Sequence, residues 1–261
     1  MRLLEPTSGH IYFEGKNVFK MKRGELEEFR AKVQMVFQDP LTSLDPRMTV
    51  YETISEPLTI RGLFRDRNKK LDYVLSLMDK VGLADYHSYR YPHELSKGQC
   101  QRVSLARAIA SKLKLLIADE PVSSIDVSIK SQIINLLMDL QKELEMSMLV
   151  ITHDLSVVKC LCDTIVVMYL GKIVEIATTD ELFDSPLHPY TQALLSAIPI
   201  PDPTAKKKRI ILRGDVPSPV NPPPGCRFHT RCAYSTYKCK ITEPELVKIK
   251  GDRWVACHRF Q

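Results

Sequence analysis

The sequence predicts an α/β protein: a mainly parallel sheet with helices on both faces, an inserted helical segment and a small C-terminal extension. Three observations carry this expectation. Leu115 to Ala118 is a short apolar run bounded by polar residues and Pro121, the pattern of a strand buried on both faces of a parallel sheet. Val33 to Phe37 reads as another apolar strand, and Met148 to Thr152 as a second buried one. Each run ends in polar residues: Gln38, then Asp119 with Glu120, then His153 with Asp154. Open α/β sheets bind ligands at the carboxyl ends of their strands.

Taken in order, residues 1 to 20 read as a β-hairpin tail, with weak alternation from His10 to Glu14 and a turn at Gly15-Lys16-Asn17. Residues 21 to 32 form a polar helix. Residues 40 to 92 carry helical patterns, at Thr49 to Ile60 and Leu71 to Val81, with Gly82 placed to cap the second. A further helix starts after Leu95, with Val103, Ala106, Ala110 and Leu113 on its apolar side. Its Ser96 and Gln99 have the spacing of a capping box, and a helix start holding Ser96, Gly98 and free N–H groups is also an anion site. Ser123 to Asp126 makes a tight polar turn, and Asp154 can cap the helix that follows it. Thr164 to Ile176 reads as two strands joined at Leu170-Gly171, followed by helices at Asp180 to Phe183 and Thr191 to Ala197. From Pro199 a linker rich in Pro and Lys begins, and Val216 to Gly225 excludes helix and central strand. The main domain is expected to span 1–200 and the extension 201–261.

Composition bounds the function. The chain has 261 residues, 44% hydrophobic and 26% charged, enough for one buried domain with an appendage. No apolar run approaches the roughly 20 residues of a membrane span, and the N-terminus has no signal-like apolar core. A cytoplasmic protein is expected, with any membrane contact made through partners. The net charge of +6 is scattered apart from Lys206 to Arg209, so nucleic acid is not expected. Seven cysteines in such a compartment point to free thiols or metal rather than disulfides.

Adjacent carboxylates at a strand end are costly unless a cation or a proton-accepting role needs them. Asp119 is suited to hold Mg²⁺, and Glu120 to orient or deprotonate an attacking water; a strand-end turn with two solvated acids is the plainer alternative. Four polar clusters at element edges, in this order, exceed what capping explains.

These clusters resemble the ATP-binding subunit of an ABC transporter over about the first 200 residues. Leu95-Ser96-Lys97-Gly98-Gln99 resembles the signature loop, Leu115 to Glu120 the Walker B strand, Ser123 to Asp126 the D-loop, His153 the switch histidine and Gln38 the Q-loop. Gln38 to Val50 and Ser185 to Pro199 further resemble the subunits that drive oligopeptide and dipeptide uptake. The resemblance implies ATP and Mg²⁺ as cofactors and head-to-tail pairing with a second such subunit, the same or different. It also implies permease subunits and, indirectly, an extracellular peptide-binding protein. Glu120 and His153 would then be catalytic, and Gln38, Ser96, Gly98, Gln99, Asp119 and Asp126 would bind nucleotide. The implied place is peripheral, on the inner face of the cell membrane. Residues 40–92 would be the subdomain that receives the permease. Lys97 departs from the commoner Gly of the signature.

One family element has no counterpart. A P-loop needs G-x-x-x-x-G-K-[ST]. Gly15-Lys16 is followed by Asn17 and has His10 in place of the first Gly; Gly171-Lys172 is followed by Ile173 and has Val166 there. The expectation is a chain truncated before its Walker B half, so that it hydrolyses ATP weakly or not at all alone. The alternative is a non-catalytic half that lends its signature loop to another ATPase subunit.

Cys226, Cys232, Cys239 and Cys257 are separated by five, six and seventeen residues, which is not zinc-ribbon spacing. Spacing alone leaves metal and free thiols both open; the resemblance implies a four-cysteine iron–sulfur cluster, [4Fe-4S], with zinc as the alternative. His229 and His258 are spare ligand candidates, while Cys100, Cys160 and Cys162 read as packing residues in helices. The function expected is an ATPase that powers peptide import, or import of another solute such as nickel. A soluble ABC ATPase acting on DNA or ribosomes is disfavoured by the importer-like segments and by the lack of coiled-coil pattern.

Overall fold

The computed structural model describes residues 1–111, 113–123, 125–198 and 209–261. Ser124 and the linker expected from Pro199, as far as residue 208, lie outside the described residues. The chain packs as two units, Met1–His153 and Asp154–Gln261.

In the first unit, β1 (Tyr12–Phe13) and β2 (Lys16–Asn17) form an antiparallel hairpin. The turn is Glu14-Gly15, one residue earlier than expected, with φ of 48° and 76°. A two-residue hairpin turn matching strand twist needs both central residues left-handed, so Lys16 and Asn17 go into the strand. Helix α1 (Arg23–Lys32) follows and leads directly into β3 (Val33–Val36).

The segment after β3 carries α2 (Val50–Ile60) and α3 (Arg67–Lys80). Thr49 and Glu52 cap α2 reciprocally, and the Asp66 carboxylate accepts the N–H groups of Asn68 and Lys69 at the start of α3. Gly82, at φ 69°, ends α3: its N–H donates to the Asp79 carbonyl at 2.8 Å and that of Leu83 to Met78 at 2.9 Å. This paired pattern needs a left-handed residue after the cap, which glycine supplies. Then come α4 (Lys97–Ile109), β4 (Leu115–Asp119), α5 (Val127–Glu143) and β5 (Ser147–Ile151).

Strands β3, β4 and β5 form a parallel sheet in the order β3-β4-β5. Contrary to the sequence expectation, β4 and β5 are not buried on both faces. Leu116 and Ala118 are fully buried, whereas Leu149 is 52% and Ile151 48% exposed. The pleat sends alternate residues to opposite faces; on the second face Leu115 and Ile117 of β4 pack against the cluster of Val18, Met21, Phe29 and Val33, whereas Leu149 and Ile151 of β5 lie outside that cluster.

The second unit contains α6 (Leu155–Leu161), β6 (Thr164–Tyr169), β7 (Lys172–Thr178), α7 (Thr179–Asp184), α8 (Pro189–Ser196), α9 (Tyr237–Ile241), β8 (Val247–Lys250) and β9 (Arg253–Val255). Leu170 and Gly171, at φ 45° and 77°, turn β6 back onto β7. The antiparallel sheet runs β6-β7-β9-β8. The tail belongs to the second unit: strand β9 pairs with β7, and Phe228 is buried beside Tyr169 and Leu182. Among the described residues no helix is long and apolar enough to cross a membrane.

Candidate active site

Parallel strands bring their carboxyl ends to one edge. Ala118 pairs with Val36 on one side and Val150 on the other, and Asp119 with Ile151. Gln38, exposed just beyond β3, the Asp119-Glu120 pair and His153, just beyond β5, therefore share that edge. These are the residues that the sequence placed at strand ends, and the register assembles them.

Glu120 is held in an unusual backbone state. Its φ is 49°, in the left-handed region that costs a non-glycine residue about 1 kcal/mol or more. Its N–H donates to the Ile151 carbonyl at 2.8 Å, and its own carbonyl accepts from Ser123 N at 3.1 Å and Ser123 Oγ at 3.0 Å. Sequence reasoning missed this bracing role of Ser123; its place two residues after Pro121 in a polar turn was the available signal.

The bend aims the carboxylate across to the next strand. Glu120 Oε1 accepts the backbone N–H of His153 at 3.2 Å and lies 2.7 Å from His153 Nδ1. The Glu120 side chain is 16% exposed and that of His153 81%. With Nδ1 donating to the carboxylate, the other ring nitrogen remains available. The half-buried Asp119 carboxylate makes no hydrogen bond among the described residues. An oxygen donor of that kind at a strand end fits a hard divalent cation. The edge can thus place one carboxylate on a cation and another on a water, with an imidazole alongside.

A second group gathers where α4 begins. Ser96 Oγ accepts the Gln99 N–H at 3.2 Å, and Gln99 Oε1 accepts the Ser96 N–H at 2.9 Å. The capping box is present, yet it does not compete with anion binding: capping uses a lone pair of the hydroxyl and leaves its proton to donate. Gly98 is buried, and a Cβ there would lie 2.7 Å from Ile129 Cγ2. Glycine is thus required for α4 to approach α5, beyond any need at a ligand. Asp126 stands exposed as the N-cap of α5 without a side-chain cap bond. Lys97 is exposed. No hydrogen bond joins the Ser96 group to the Glu120 group among the described residues.

In the second unit, Cys226 N–H donates to the Cys239 carbonyl at 2.9 Å. Burial pushes the Cys226 thiol up to about 11, the Phe228 N–H opposing and the charges of Cys239, Cys257 and Cys232 adding to the rise. Cys232 and Cys257 are raised in the same way, burial first and neighbouring cysteines contributing. The four sulfurs are therefore within electrostatic reach of one another. Among the described residues, however, no group of three or more His, Cys, Asp or Glu reaches metal-holding geometry. Each spare histidine already contacts a carbonyl, His229 that of Cys226 and His258 that of Thr242, both at 2.9 Å. Cys100 and Cys162 are packing residues, as expected, the latter partly buried against the core of the second unit, but Cys160 is exposed on α6.

A parallel sheet with paired acids at its carboxyl edge, preceded by a capped Ser-Lys-Gly-Gln helix start, defines a nucleotide-hydrolysing domain of the ATP-binding cassette class. Residues 1–123 match the family model described as ABC transporter, and residues 174–239 that described as oligopeptide/dipeptide transporter, C-terminal region. The chain is 48% identical over 263 aligned positions to a putative oligopeptide transport ATP-binding protein, YkfD, of Bacillus subtilis, covering all of this chain and 80% of the relative. It is 50% identical to the oligopeptide transport ATP-binding protein OppF of Escherichia coli, over 94% of this chain and 74% of that one. Among solved structures, cbiO1 of Clostridium perfringens, part of the ABC transporter complex cbiONQ, aligns with a TM-score of 0.61 and 30% identity over 70% of this chain and 71% of that one. The chain belongs to the ATP-binding subunits of ABC transporters, in their oligopeptide/dipeptide branch, and is an ABC-type ATPase.

Proposed function

We propose that this chain powers import of oligopeptides or dipeptides, bound to permease subunits at the cytoplasmic face of a membrane. Relatives named for oligopeptide transport support the substrate class. The observation that carries the chemistry is the left-handed bend that sets Glu120 Oε1 2.7 Å from His153 Nδ1. In this reading Glu120 orients and deprotonates the attacking water, and the His153 ring contacts the γ-phosphate. Asp119 and Gln38 would hold Mg²⁺, which when bound neutralises charge on the phosphates.

The Ser96, Gly98 and Gln99 group would then serve ATP held by a second subunit packed head to tail, with Asp126 joining the two sites. The 261 residues contain no G-x-x-x-x-G-K-[ST] segment to cradle phosphates, so hydrolysis by this chain alone should be weak or absent. Titrating the chain with Mg-ATP, alone and with a partner ATPase subunit, tests this. Turnover that appears only in the mixture and falls with Ser96→Ala supports the reading. Full turnover by the isolated chain overturns it.

We further propose that Cys226, Cys232, Cys239 and Cys257 hold an iron–sulfur cluster that staples the tail. The support is four thiols within one another's electrostatic reach, two of them, Cys226 and Cys232, packed against the core around Phe228. Anaerobic protein should be brown and contain iron and sulfide in equal amounts. Colourless protein with stoichiometric zinc overturns it.

A further inference from the structure

The Gln99 side chain ties the start of α4 to the chain before it, alongside Cys100 Sγ, which donates to the Pro92 carbonyl at 3.5 Å. Gln99 Oε1 accepts the Ser96 N–H at 2.9 Å, which fixes the oxygen end of the amide towards the cap. Its Nε2 then lies 3.1 Å from His87 Nε2. An amide NH₂ only donates, so this ring nitrogen must accept and the ring proton must sit on Nδ1. Nδ1 lies 3.1 Å from the Ala84 carbonyl, which only accepts. One tautomer and one amide orientation satisfy every link.

The contact is sheltered and specific. His87 is 7% exposed, and its ring lies 4.2 Å, centroid to centroid, from that of Tyr86. The boxes at α2 and α7 pair threonine with glutamate, Thr49 with Glu52 and Thr178 with Glu181. A glutamate at 99 would cap equally well but would have no proton to give His87. The amide is therefore needed for the third contact and not for the cap. His87 sits in the turn Asp85–Tyr89, which packs against α2 and α3.

We infer that His87 is a positioning residue for Ser96, acting through the Gln99 amide, and that it couples displacement of the α2–α3 segment to the orientation of the Ser96 hydroxyl. This rests on the proposed role of Ser96 at a partner's ATP. The His87 ring orders the amide, the amide holds the Ser96 backbone, and the hydroxyl presents its proton in one direction. Loosening the ring leaves helix α4 capped but its first turn less defined.

The test uses the full chain assembled with a partner ATPase subunit and permease, reading kcat and KM for ATP. Ser96→Ala reports on the underlying reading and His87→Leu on the inference. His87→Leu should lower kcat about three- to tenfold, the worth of one sheltered hydrogen bond, with KM little changed. His87→Gln, whose carbonyl oxygen can stand where Nε2 accepts, should restore most of it; His87→Asn, which reaches only as far as Nδ1, should not. A packing role predicts the reverse, with the apolar leucine better tolerated than glutamine. Wild-type kcat in His87→Leu while Ser96→Ala is impaired overturns the inference alone. A neutral Ser96→Ala overturns the reading beneath it. If the leucine variant does not fold, equal rates for the glutamine and asparagine variants overturn the inference.

Discussion

Glu120 and His153 meet across the ends of two adjacent parallel strands, carboxylate oxygen to imidazole Nδ1 at 2.7 Å, while the same oxygen takes the His153 backbone N–H at 3.2 Å. The second bond anchors the carboxylate to the strand end even if the exposed ring swings away. Glu120 is thereby placed by backbone, and the more exposed His153 ring by Glu120.

Replacing Glu120 by glutamine keeps the size and the acceptor for the His153 N–H but removes the base. Turnover in the assembled transporter should fall at least about a hundredfold. ATP should remain bound, and the thermal midpoint should stay close to that of the parent protein. Steady-state hydrolysis and retention of labelled nucleotide check this together. Turnover near the parent rate would exclude Glu120 as the base.

Ser96→Asp separates the two uses of that residue. Aspartate is as good an N-cap as serine, so helix stability should hold within about 0.5 kcal/mol. It has no proton to donate and adds charge opposite a phosphate, so activity in the assembly should be lost. Urea unfolding alongside ATPase measurement distinguishes this from a purely structural role, in which both would survive.

Gly98→Ala should destabilise the first unit by about 1–3 kcal/mol, because its Cβ would lie 2.7 Å from Ile129 Cγ2. Ile129→Ala in the same chain should recover much of that loss, since it removes the obstructing methyl. Additive losses in the double variant, read by urea unfolding, would show that the close approach of α4 to α5 is not the cause.

The second unit should weaken in mild acid. His188 is 1% exposed, and burial lowers its pKa from 6.5 to about 4. The folded ring stays neutral where the unfolded one already takes a proton. Its contribution is intact above pH 6.5 and is lost as the pH falls from 6.5 towards 4, at about 1.4 kcal/mol per unit of displacement. His188→Asn keeps an acceptor near the Tyr190 N–H, now met at 3.1 Å, and removes the titration. Its unfolding midpoint should depend less on pH over that range; an unchanged slope would point to another group.

Much of the candidate site was legible because its residues mark the ends of elements. Gln38, Glu120 and His153 follow short apolar runs, Ser96 and Gln99 have cap spacing, and Gly82 ends a helix in the pattern that glycine favours. Local sequence encodes such ends through backbone preference and capping. Two other features have non-local causes. Burial of Leu149 and Ile151 depends on what covers the sheet, and the tail's membership of the second unit depends on β9 pairing with β7.

The sequence by itself determined the family, the order of the strand-end polar groups and the cysteine set, because each follows from residue type and spacing along the chain. Only the tertiary structure decided that Glu120 faces His153, that Gly98 is pressed against Ile129, and that His87 reaches Gln99. Those relationships join residues from separate elements, and their geometry comes from strand register and helix packing, which no local pattern specifies.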